Sequence, residues 1–72
     1  MPTLPDRLRS ARSITNTTQK QVAEGVSIAE SAYQRYERGA SKPSYEMIIK
    51  LCNYFNVSAD YLLGLSDEPE RR

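Results

Sequence analysis

Apolar side chains return at helical spacing along this chain, and nowhere over a useful length do they alternate with the two-residue period of a strand. Ile48, Leu51, Cys52 and Phe55 stand at i, i+3, i+4 and i+7, the stripe of a helix with one buried face. Leu4, Leu8 and Ala11 share a face in the same way, and Val22, Ala23 and Val26 supply another. The pattern predicts an all-α fold.

Start and stop signals divide that pattern into five helices. Thr3 caps the first, about 3–14, with Pro5 tolerated in the first turn before Thr15, Asn16 and Thr17 interrupt it. Thr18 and Gln21 have the spacing of a capping box, in which hydroxyl and amide satisfy each other's orphan backbone donors at the start of helix two. Ser27 and Glu30 offer a second box, so helix three is expected to begin between 28 and 30 and to run through Tyr33 and Tyr36 to Gly39. After a loop at 40–43, Ser44 caps a fourth helix ending near Asn56, and Ser58 opens a short fifth that Gly64 stops. Residues 1–65 are therefore expected to form one domain, and 66–72 a flexible charged C-terminal tail. Tyr33, Tyr36, Val22, Val26, Ile48, Leu51, Phe55 and Leu62 are the expected core, with Cys52 a small buried hydrophobe.

Composition removes several function classes. In 72 residues there is one cysteine and no histidine, which leaves no internal disulfide and none of the usual zinc ligand sets; neither metal nor cofactor is expected. No segment approaches the roughly 20 apolar residues of a membrane span, and the first residues do not read as a secretory signal, so a cytoplasmic protein is expected. No nucleophile stands beside a base, no glycine loop cradles a phosphate, and no enzyme is expected. Net charge is only +1, yet residues 1–43 carry seven Lys or Arg against four Asp or Glu, and residues 44–72 carry three against five. The basic part suits a face turned toward phosphates.

Two short helices in close succession, 19–26 and about 29–38, make a helix-turn-helix arrangement. The string TQKQVAEGVSIAESAYQRYERGASKPS over 18–44, followed by Val57, Ser58, Ala59, Asp60, Tyr61, Leu62, Leu63 and Gly64, resembles the phage repressor and Cro (XRE-like) family of helix-turn-helix transcriptional regulators, over about residues 6–65. Thr18-Gln19 at the start of helix two, Ala23 at its tightly packed position, Tyr36-Glu37-Arg38-Gly39 and Lys42-Pro43-Ser44 carry the resemblance. It implies a compact five-helix repressor-type domain that binds double-stranded DNA sequence-specifically. Helix three would lie in the major groove, and a homodimer would occupy a palindromic operator and exclude polymerase. The dimer contact would use helix five, residues 53–57 or the tail. The alternative is a protein-interaction module of the same fold, antitoxin-like or an adaptor, whose ligand binding would lack the steep salt dependence of phosphate contacts.

By the same resemblance, Glu30, Ser31, Gln34 and Arg35 occupy positions that reach base edges. Their chemistry fits: glutamine pairs with adenine, arginine with guanine, glutamate accepts from cytosine N4, and serine serves either sense. Thr18, Gln19, Arg38 and Lys42 would meet the DNA backbone, helped by backbone amides at 39–44. Arg12 and Glu37 resemble a structural ion pair joining helices one and three. This chain departs from the family at the turn, where Ser27 replaces the usual glycine, Ala29 the usual serine cap, and Gly25 a longer helical residue; Gly25 is expected to weaken helix two by about 1 kcal/mol relative to alanine.

Overall fold

The computed structural model describes residues 2–70. It holds five helices, α1 (Leu4–Thr15), α2 (Gln19–Gly25), α3 (Glu30–Glu37), α4 (Tyr45–Phe55) and α5 (Ala59–Leu62), and no strand among the described residues. Four begin on the expected hydroxyl. Thr3, Thr18, Ser44 and Ser58 accept from the backbone N–H of Asp6, Gln21, Met47 and Tyr61 respectively. The Thr18–Gln21 box is formed, and Thr3 makes a second one with Asp6, whose carboxyl is held below its ordinary pKa, chiefly by the Thr3 backbone N–H. α1 and α4 both end on an asparagine in the left-handed region, Asn16 at φ 54° and Asn56 at φ 57°.

α3 begins differently. The expected box between Ser27 and Glu30 does not form, because Ser27 is already used to close α2. Its N–H donates to the Glu24 carbonyl at 3.2 Å, and that of Ile28 donates to the Ala23 carbonyl at 2.9 Å. This Schellman pattern requires a left-handed residue at position 27, and Ser27 takes φ 62° where glycine would do so without strain. The cap of α3 then falls to Ala29, which makes no side-chain bond.

Gly25 has a tertiary reason that the sequence reading lacked. A Cβ at this position would overlap Cε1 and Cδ1 of the Tyr54 ring, so glycine leaves the room into which the Tyr54 side chain of α4 packs beside the end of α2.

The helices close around Leu8, Ala11, Val22, Ala23, Val26, Tyr33, Leu51, Cys52, Phe55, Val57, Tyr61 and Leu62. α1 packs against α3, α4 and α5, α2 against α3, and α4 against α5. Leu51, wholly buried, contributes of order 2 kcal/mol by leaving water. Tyr36 and Ile48, expected in the core, are half-buried and line an apolar cleft with Leu4, Pro5 and Leu63.

Of the segment expected to be a flexible tail, residues 71 and 72 lie outside the described residues. Asp67 and Pro69 bond to the body. Arg7 is nine-tenths buried with its guanidinium 4.3 Å from the Tyr61 ring centroid, and donates to Asp67 at 2.8 Å; the Ser58 N–H donates to the Pro69 carbonyl at 3.1 Å. A buried guanidinium requires such a partner.

Candidate nucleic-acid interface

The helix-turn-helix unit is α2, the turn at 26–29, and α3. Packing of α2 on α3 through Val22, Ala23, Val26 and Tyr33 buries one side of α3 and leaves the other to solvent. On that outer side Glu30, Ser31 and Arg35 are exposed and Gln34 is half-buried. Arg38 and Lys42 are exposed just beyond the helix end, and Thr18 is exposed at the start of α2. Gln19, half-buried beside Thr18, meets Gln34 across the two helices, so the eight residues expected to meet DNA lie on α3, just beyond it or at the start of α2.

The C-terminal end of α3 is tied down by α1. Arg12 holds the Glu37 carboxylate with two donors, Nε to Oε2 and Nη2 to Oε1, the latter at 2.9 Å. Glu37 is only 3 % exposed and Arg12 24 %. Burial pushes the Glu37 carboxyl up, but the donors, led by Arg12 and joined by Gln19, outweigh it and leave the group below its ordinary pKa. Bonding to Glu37 in turn raises Arg12. The Tyr33 hydroxyl is buried beside this pair without a well-formed hydrogen bond, and burial first, then the Glu37 carboxylate, raise its pKa and keep it protonated.

Gln19 carries the network outward. Its Nε2 donates to Glu37 Oε1 at 3.1 Å, and its Oε1 accepts from Gln34 Nε2 at 3.2 Å. Gln34 Nε2 also lies 3.4 Å from Glu30 Oε2. Arg12, Glu37, Gln19, Gln34 and Glu30 form one continuous chain from α1 to the exposed start of α3.

Arg9 donates to the Glu37 backbone carbonyl at 2.6 Å and so completes the C-terminus of α3. Its signal was its place one turn from Arg12 on the same helix face. The amides expected to help at the backbone are partly used within the fold: those of Gly39, Ala40 and Ser41 donate to carbonyls of Tyr36 and Arg35.

Charge is divided accordingly. Arg7, Arg9 and Arg12 on α1 pair with Asp67, Asp6 and Glu37. Lys20, Arg35, Arg38 and Lys42 have no carboxylate partner among the described residues. Arg35, Arg38 and Lys42 lie on α3 or just beyond it and Lys20 on α2, while Lys50 on α4 is likewise exposed without a carboxylate partner among the described residues; near a polyanion such cations can displace its counterions.

Comparison with known proteins agrees with this geometry. A family model described as Helix-turn-helix matches residues 8–62. The chain is similar to the uncharacterized HTH-type transcriptional regulator YobD of Bacillus subtilis (strain 168), 41 % identical over 64 residues that make up 89 % of this chain and 57 % of that protein. It is also 41 % identical over 69 residues to the HTH-type transcriptional regulator ImmR of the same organism, covering 96 % of this chain and 54 % of ImmR. The chain thus spans little more than half the length of these curated relatives. Among solved structures, the P22 c2 repressor protein in complex with a synthetic operator superposes with a TM-score of 0.83 at 24 % identity, over 92 % of this chain and all of that one, a likeness of fold.

Proposed function

Since this chain belongs to the helix-turn-helix family, we propose that it is a sequence-specific double-stranded DNA-binding regulator that represses transcription by occupying an operator. Residues 1–65 are the DNA-binding domain. α3 enters the major groove with Glu30, Ser31, Gln34 and Arg35 toward the bases, while Thr18, Gln19, Arg38 and Lys42 meet the flanking phosphates. The observation that carries the reading is the set of exposed, unpartnered cations at Lys20, Arg35, Arg38 and Lys42, three of them on or just beyond α3, whose C-terminal end is anchored in the fold.

One α3 reads only a few base pairs, so useful specificity requires two copies on a palindromic site, with half-sites about one helical turn apart. Exposed apolar residues at the end of α5, Leu63 and Leu65, together with Ile49 on α4, supply surface for that second copy.

A mobility-shift titration on genomic fragments tests the reading. Affinity is expected to fall steeply with salt for one preferred fragment; Arg35→Ala should cost about 1–3 kcal/mol at one base pair, and Lys42→Ala should weaken all sequences alike. Absence of any preferred fragment at low salt would reject it. Binding of a protein ligand without salt dependence would favour the interaction-module alternative.

A further inference from the structure

The hydrogen-bond chain across α3 has a direction that the buried end imposes. The Glu37 carboxylate only accepts, so the Gln19 atom facing it is the amide nitrogen and the atom turned toward α3 is the carbonyl oxygen. That oxygen also only accepts, so Gln34 meets it with Nε2. The same nitrogen donates to Glu30 Oε2. Both amide hydrogens of Gln34 are thereby committed within the protein.

This changes what the exposed face of α3 can read. Pairing of a glutamine with adenine needs its amide donor and acceptor side by side, and Gln34 has only its acceptor left. Glu30, on the exposed first turn, presents an oxygen beyond the one Gln34 holds. The face between Ser31 and Arg35 therefore offers acceptors to the groove. Cytosine answers with its N4 amine, whereas adenine sets the N7 acceptor beside its amine and repels a carboxylate.

We propose that Gln34 is a positioning residue, oriented through Gln19 by buried Glu37, and that it holds Glu30 so that Glu30 accepts from a cytosine N4 amine and sets the preference at that base pair. The assignment rests on the reading of this chain as a sequence-specific DNA binder. It reaches beyond that reading by stating which base is chosen and by which pair of side chains.

Selection of bound duplexes from a random pool, using the full chain as wild type, Glu30→Ala, Gln34→Met and the double variant, tests it. Wild type should enrich cytosine at one position of each half-site. Each single substitution should reduce that enrichment by roughly fivefold or more. The double variant should fall no further, with the guanine position opposite Arg35 kept throughout. If Gln34→Met instead erases an adenine position while cytosine persists, Gln34 reads a base itself and the proposal is overturned. The relay has a readout without DNA: the Gln34 side-chain amide resonances should shift on Glu30→Ala and on Gln19→Ala, and unmoved resonances overturn it. Resonances that shift in the variants, with a wild-type chain that selects no sequence, would overturn the operator reading and the cytosine assignment with it.

Discussion

The two ends of α3 are held by opposite means. At its C-terminus, Arg9 and Arg12 reach from α1 to the Glu37 carbonyl and carboxylate, and Gln19 adds a further donor from α2. At its N-terminus stand Ala29, which caps nothing, and Ser27 in a left-handed conformation that costs it of order 1 kcal/mol. The fixed end is buried and charged, and the loosely specified end carries Glu30 and Ser31 into solvent. A helix clamped at one end by a desolvated ion pair has its direction set from the core.

The largest effect is expected at the clamp. Arg12→Met leaves Glu37 buried without its main partner and should cost about 3 kcal/mol or more in denaturant unfolding; a loss below about 1 kcal/mol would mean that the two ends are not held so differently. The same pair predicts a pH dependence. Glu37 has its folded pKa below the unfolded value, so its contribution is present above about pH 4.5 and is lost as pH falls through the folded pKa. Glu37→Gln should flatten that part of the acid-unfolding profile.

Before the turn, at the end of α2, Gly25→Ala should destabilise by about 1–2 kcal/mol, because the new methyl meets the Tyr54 ring, and Tyr54→Ala in that background should recover part of the loss. From helix propensity alone the sign would be the reverse, so thermal melts of the two variants decide between them. Ser27→Gly should stabilise by about 1 kcal/mol by relieving the left-handed residue, offset in part by the freer unfolded chain. Ala29→Ser, at a backbone already extended as a cap requires, should add about 0.5–1 kcal/mol. If neither raises the melting temperature, the turn is not the weakly held end.

Much of this fold is legible along the chain because the signals are local. Thr18 and Gln21, Ser44, Ser58, Asn16 and Asn56 mark helix ends through bonds to residues within a turn, and those were readable from spacing. Ser27 and Glu30 had the same spacing and failed, because position 27 was claimed by the end of the preceding helix, a competition that no spacing rule resolves. Around α3 the residue types were legible one by one. Their connections were not, since Gln34 could be matched to a base by its chemistry while its bonds to Gln19 and Glu30 depend on how α2 and α3 cross.

By itself the sequence determined the five helices, the apolar faces that join them, and the collection of polar and basic residues on the third helix, since each depends on periodicity and on caps a few residues apart. Tertiary structure alone decided that Gly25 is required by a tyrosine 29 positions later, that Arg7 and Arg9 are structural charges, and that Glu37 orients a row of side chains reaching the exposed end of α3. The physical reason is desolvation: a buried charge must find its donors wherever packing brings them, and packing is not local.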